Sequence, residues 1–204
     1  MDAEEGQLVG LARERGAHIF SCDAHAVYET EHTGVGEWKS FTNTDVFIKI
    51  WKQVLGDAAY KDHDWTVKVD PDAVFLPDRL KQHLEGLRAP AGASLYLKNC
   101  GFKFGFMGSL EVLSGQAVGD YARDVEGCSE HLGHDGGEDF YLMSCLDAIG
   151  VGYMVDDTVL DDKYTYSDDY DLGDVSFCGS GSAAAYHPLK RPDQWQQCLD
   201  TASR

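Results

Sequence analysis

The chain reads as an α/β domain built on a mostly parallel central sheet flanked by helices. Three observations predict this. Segments with strand character alternate with segments of helical period along most of the sequence, and such alternation favours an α/β layer. The length, 204 residues, suits one domain better than two. No internal repeat, low-complexity tract or obvious linker divides the chain.

Residues 3–15 place Leu8, Leu11 and Ala12 on one helical face, with Gly16 as a stop. This predicts an N-terminal helical extension over residues 1–16, with the main domain over 17–204. His18–Cys22 reads as a short buried strand ending at Asp23, and 29–42 as a glycine-containing loop. Asn43 or Thr44 can cap a helix in which Val46, Phe47, Ile50, Trp51, Val54 and Leu55 recur at helical spacing. Trp65–Val69 alternates as a strand, and Pro77 opens a helix to about Leu87. Ala93–Leu97 is the next strand, 102–113 looks like strand pieces around a turn, and 115–126 reads as a helix. Beyond the loop 129–137, Glu138 opens a helix to about Ile149. Val151–Val155 is a strand, 156–182 is largely irregular and acidic, 183–187 is a last strand and 193–201 a last helix.

Composition narrows the function classes. Seventeen basic against 35 acidic residues give a formal charge of −18. Nucleic acid is excluded as a partner on this balance, because phosphate binding needs a basic surface. No segment reaches the length of a membrane span, and the N-terminus MDAEEGQLVGLARERG is polar where a signal peptide is apolar. If the protein is secretory, its targeting part lies outside this chain. The six cysteines are widely spaced and form no CxxC pair, which argues against a zinc ribbon. Two readings remain, reduced and partly buried thiols or, the favoured one, pairing of at least one couple in an oxidising compartment.

Chemistry concentrates in Val69-Asp70-Pro71-Asp72, where an apolar strand ends on two carboxylates one residue apart. In α/β sheets ligands sit at the carboxyl ends of strands. Hard divalent cations take oxygen ligands, and Mg²⁺-type ions are often held by one or two carboxylates plus substrate phosphates. A plain turn is the alternative, but Ala73-Val74-Phe75 resumes apolar character at once. Asp23 is a second strand-end candidate, and Lys68, Lys103 and Lys190, the basic residues nearest the motifs, are candidates to meet the phosphate of a bound cofactor, Lys68 first, with a plain surface lysine as the alternative. Gly137-Glu138-Asp139 sets two acids at a helix start, where the dipole alone also favours them.

The Asp70-Pro71-Asp72 segment resembles the Asp-x-Asp signature of GT-A nucleotide-sugar glycosyltransferases. Phe104 to Ser114 resembles the Gly/Ser-rich acceptor-side stretch of Fringe-like and β-1,3-galactosyltransferase-like enzymes. Glu138-Asp139 resembles their Glu-Asp motif, and Tyr186-His187-Pro188 their C-terminal Phe-His-Pro-like element. The resemblance spans residues 17–200 and implies a GT-A-like fold. It implies that Asp70, Asp72 and His187 bind Mn²⁺ or Mg²⁺ with the diphosphate of a nucleotide sugar, a UDP-sugar first of all. Asp139 is then the preferred base at the acceptor hydroxyl of a glycan or glycoprotein, Glu138 an acceptor-binding or alternative base, and Asp23 a contact to ribose or base. Transfer would be inverting, in the Golgi or ER lumen. With such a lumenal setting, the late-chain cysteines Cys178 and Cys198 are expected, from their positions, to find partners among Cys100, Cys128 and Cys145.

The chain also departs from the pattern. A GT-A domain begins with a strand whose loop contacts the nucleotide, and nothing before residue 17 reads as that strand. The first strand is lacking or the N-terminal region is remodelled. A second reading follows, a catalytically degenerate GT-A-derived binding module. A glycoside hydrolase, which needs two carboxyl groups about 5–9.5 Å apart, ranks third, since paired acids at one strand end suit a metal better.

Overall fold

The computed structural model describes residues 3–29, 43–165, 171–179 and 181–204. In chain order the strands are β1 (Trp65–Val69), β2 (Val74–Phe75), β3 (Leu95–Lys98), β4 (Leu110–Ser114), β5 (Gly152–Val155), β6 (Leu160–Asp162) and β7 (Ala185–His187). The helices are α1 (Ala3–Arg15), α2 (Thr44–Asp57), α3 (Pro77–Leu87), α4 (Gly115–His131), α5 (Glu138–Ala148) and α6 (Pro192–Ala202). The class is mixed α/β.

The strands form two sheets, one ordered β1-β4-β3-β5 and the other β2-β7-β6. Both are mixed. β4 runs antiparallel to β1 and β3, while β3 and β5 are parallel. β7 is antiparallel to β2 and parallel to β6. The mostly parallel sheet of the sequence reading is therefore not what these strands build. Connection chemistry explains the difference. β3 and β4 are joined by a helix-free loop, which suits an antiparallel return, whereas β3 and β5 are separated by α4 and α5, the long crossover that a parallel pair requires.

Three apolar clusters hold the layers together. α2, α4 and α5 cover one face of the first sheet through Trp51, Tyr121 and Leu142 against Tyr96 and Leu113. Phe75, Leu97, Leu110, Val112 and Ala185 fill the space where the two sheets meet, with Leu80 of α3. α1 and α6 pack Leu8, Ala12 and Trp195 against Val74 and Tyr186 of the second sheet. The N-terminal helix, expected as an extension, thus contributes two fully buried residues to that cluster.

Two local readings change. His18–Ser21 is a 3-10 turn rather than a strand. His18 stands at φ 59°, in the left-handed region, and its buried ring packs edge-on to Phe75 and against Trp195. Five residues of strand-like composition are thereby coiled between the cluster where the sheets meet, which takes Ile19 and Cys22, and the cluster under the second sheet, which takes Phe20. The segment read as irregular contains β6, whose partner β7 lies more than twenty residues further on. The predicted loop 29–42 lies, from residue 30 on, outside the described residues.

The cysteines pair as Cys128–Cys145 and Cys178–Cys198, with Cα separations of 5.5 and 5.3 Å. The expectation that Cys178 and Cys198 bond to Cys100, Cys128 or Cys145 is overturned. Cys128 and Cys145 lie in the cluster under the first sheet, Cys178 and Cys198 in the one under the second. Each bridge closes within its own layer, and Cys22 and Cys100 are free thiols.

Candidate metal centre

The turn after β1 and the end of β7 are brought together by strand pairing. Leaving the turn, the chain enters β2, which pairs antiparallel with β7 in the register Val74 to Tyr186. The Leu189 amide donates to the Asp72 carbonyl at 2.7 Å, and the Ala73 amide closes the turn onto the Asp70 carbonyl at 3.0 Å. His187 follows Tyr186 and so arrives over the turn. Asp70, Asp72 and His187 each offer one ligand atom, and these atoms all lie within 4.8 Å of one another.

His187 is anchored from behind by a residue the sequence did not single out. Asp162 is its register partner on β6, and the His187 Nδ1–H donates to Asp162 Oδ2 at 2.7 Å. Ser109 Oγ donates to the same oxygen at 2.8 Å, and the Tyr164 amide to Oδ1 at 2.8 Å. Asp162 is fully buried, and Nε2 of His187 is left facing Asp72 Oδ1 at 3.4 Å. Burial opposes a charged imidazole, but Asp162 and Asp72 outweigh it and raise His187 to about 10. A carboxylate behind one ring nitrogen, fixing the other toward a ligand, is the usual support of a metal-binding histidine.

Cations already sit on both carboxylates. Lys68 Nζ lies 2.6 Å from Asp70 Oδ1, and Lys190 Nζ 3.1 Å from Asp72 Oδ2. Burial disfavours the Asp72 charge, yet His187 and Lys190 hold its carboxyl well below the usual range. Asp70 shifts the other way: burial pushes it up, Lys68 opposes, and Glu138 and Asp72 add to the rise.

Lys68 joins this group to the acidic pair on α5. Its ammonium also donates to Glu138 Oε1 at 3.0 Å and to the Gly108 carbonyl at 2.5 Å, and stands 4.5 Å above the Phe47 ring. Asn43 clasps Glu138 from the other side, donating to Oε2 at 2.5 Å and accepting from its backbone amide at 3.0 Å. Burial would raise Glu138, but Lys68 and Asn43 hold it below its ordinary value. Asp139 differs. Burial first and Glu138 second push it up to about 6, against the Phe140 and Gly108 amides that bond its carboxylate. The helix dipole, expected to favour its ionised form, is outweighed, although Asp139 is still mostly ionised at neutral pH.

Gly108 sits at the crossing point, its carbonyl on Lys68 and its amide on Asp139. A Cβ there would come within 2.6 Å of Glu138 Oε1. The loop that presents it is shaped by Asn99, fully buried, which donates to the Met107 and Leu110 carbonyls and accepts from the Met107 amide.

The other sequence candidates lie elsewhere. Asp23 follows the 3-10 turn instead of a strand and makes an exposed ion pair with Lys81. Lys103 stacks on Phe102. Among the described residues, Asp70, Asp72 and His187 are the one group of metal-ligating side chains close enough to share an ion.

The donor set suits a hard or borderline divalent cation, with two carboxylate oxygens and one imidazole nitrogen aligned from behind. Compared with known proteins, the chain matches no protein-family model and no curated protein.

Proposed function

We propose that this chain is a metal-dependent glycosyltransferase domain that moves a sugar from a nucleotide-sugar donor, UDP-sugars first, to an acceptor hydroxyl with inversion. The observation that carries the reading is the convergence of Asp70, Asp72 and His187 within 4.8 Å, tied through Lys68 to Glu138 at the start of α5. These are the residues, in the same order, that the resemblance to GT-A enzymes assigns to metal and acceptor chemistry. Bound there, Mn²⁺ or Mg²⁺ supplies Lewis-acid neutralisation of the departing diphosphate.

In this reading Asp139 is the general base. The acceptor oxygen forms its bond to the anomeric carbon as the bond to the nucleoside diphosphate breaks, and Asp139 takes the hydroxyl proton. Its raised affinity for a proton, near the working pH, suits that task better than the clamped Glu138. Glu138 is a positioning residue instead, fixing Lys68 and the first turn of α5. Both disulfides fit an oxidising compartment such as the Golgi or ER lumen. Among the described residues no helix is long and apolar enough to cross a membrane.

A specific observation favours a second reading, a degenerate module that no longer binds a donor. Lys68 and Lys190 already neutralise the two carboxylates. Calorimetric titration of UDP-sugars with and without Mn²⁺ separates the two. Heat that requires Mn²⁺, and that Asp72→Asn abolishes without unfolding the chain, supports the enzyme. Equal heats with and without Mn²⁺, or none, support the module.

A further inference from the structure

Glu111 has no role in the site described so far. It lies on β4, inside the run Leu110-Glu111-Val112-Leu113, and is fully buried. Among the described residues neither of its carboxylate oxygens has a hydrogen-bond partner. An unpaired carboxyl in the interior is costly, so a position that keeps one needs a reason. Its register partner across the β1–β4 ladder is Lys68. Residues directly opposite in an antiparallel pair have their Cβ atoms about 4.5–5.5 Å apart on one face. Lys68 carries its ammonium on a flexible four-carbon stem. Rotation of that stem can carry Nζ from Asp70 to Glu111 with no change of backbone.

We propose that Glu111 is a positioning residue for the cation site, a second berth that receives the Lys68 ammonium when a divalent cation engages Asp70. The inference rests on the reading of Asp70, Asp72 and His187 as cation ligands. A cation at Asp70 and an ammonium 2.6 Å from its Oδ1 repel each other and draw on the same carboxylate. Without a second berth, the ammonium stays beside the incoming ion or gives up one of its two carboxylate partners in the interior, and either outcome weakens binding. With Glu111 it keeps a carboxylate partner, while Glu138 and the Gly108 carbonyl stay on its other side. Cation affinity therefore includes the free energy of moving one side chain between two carboxylates.

The test is a double-mutant cycle read by Mn²⁺ binding alone, from the paramagnetic resonance signal of the free ion. Glu111→Gln, which keeps the shape, should weaken Mn²⁺ binding roughly ten-fold, the lower end for a group that supports a metal ligand. In the Lys68→Met background, where no ammonium has to move, the same change should have no effect. Glu111→Met adds a readout that a packing role would not give: a more stable fold, because the unpaired carboxyl is gone, together with weaker Mn²⁺ binding. Wild-type affinity in Glu111→Gln overturns the inference and leaves the cation site standing. So does an equal loss in the Lys68→Met background. Wild-type protein that binds no Mn²⁺ removes the cation site and this inference with it.

Discussion

Asp162 shows how a site residue can stay hidden in a sequence. It lies in a stretch dense with aspartates, and nothing local separates it from its neighbours. Its role exists only through the β6–β7 register that sets it behind His187. Asn43 and Asn99 were equally silent, one read as a helix cap and the other not read at all, because their partners lie across tertiary contacts. Asp70, Asp72, Glu138, Asp139 and His187 were legible because each belongs to a short motif in a recognisable order. Glu111 did leave a signal, a charge inside an otherwise apolar strand. Asp162→Asn should weaken Mn²⁺ binding by roughly 10–100-fold, measured by calorimetry, while Asp23→Asn leaves it unchanged. For Asp139, the rate of transfer at limiting donor should rise with pH through an inflection near 6, as the carboxyl loses its proton. That limb should vanish in Asp139→Asn. The stability effect has a definite sign. The folded pKa lies above the unfolded value of 3.8, so Asp139 stabilises the fold fully below that value, and the contribution is lost as pH rises through about 6. Thermal melts should therefore show Asp139→Asn gaining on the wild type between pH 4 and 7. A constant difference across that range would contradict the raised pKa.

The long amphipathic helices were read closely. α3 runs from Pro77 to Leu87 as predicted, and β1 from Trp65 to Val69, because proline at a first turn and apolar alternation are local signals. Pairing partners were not legible. Strand direction depends on how the chain returns, and β3 to β4 returns through a loop shaped by one buried asparagine. The disulfides reinforce elements at this scale. Cys128–Cys145 ties the end of α4 to α5, whose first turn carries Glu138 and Asp139. Cys178–Cys198 ties the turn 176–179 to α6. The sequence separations are 17 and 20, and loops of that size lose enough unfolded-state entropy on closure for each bridge to contribute roughly 2–4 kcal/mol. Replacing Cys128 and Cys145 together by alanine should lower the unfolding free energy by that amount in urea melts. Mn²⁺ binding should change less, because Asp70, Asp72 and His187 are placed by β1, β2 and β7. Loss of Mn²⁺ binding in a variant that still melts cooperatively would show that α5 helps to hold the ion.

At the scale of the whole molecule the net charge of −18 makes salt and specific cation effects easy to confuse. An excess of carboxylates destabilises the compact state by self-repulsion, so added NaCl should raise the melting temperature by screening alone. A cation held at Asp70, Asp72 and His187 acts differently. It binds the folded chain at one place and stabilises it by mass action, by about 2.7 kcal/mol when present at one hundred times its dissociation constant. For a domain of this size that corresponds to a rise of roughly 5–10 °C. The comparison that isolates it uses MnCl₂ and NaCl at matched ionic strength, on the wild type and on Asp72→Asn. Screening acts on both chains nearly alike, since one charge among so many changes the overall repulsion little. The specific part needs Asp72, which faces His187 at 3.4 Å and carries Lys190 at 3.1 Å. We therefore expect MnCl₂ to exceed NaCl in the wild type by several degrees, and the two salts to coincide in Asp72→Asn. Equal melting temperatures in both salts for the wild type would mean that the three side chains, close as they are, hold no ion, and that Lys68 and Lys190 are their permanent partners.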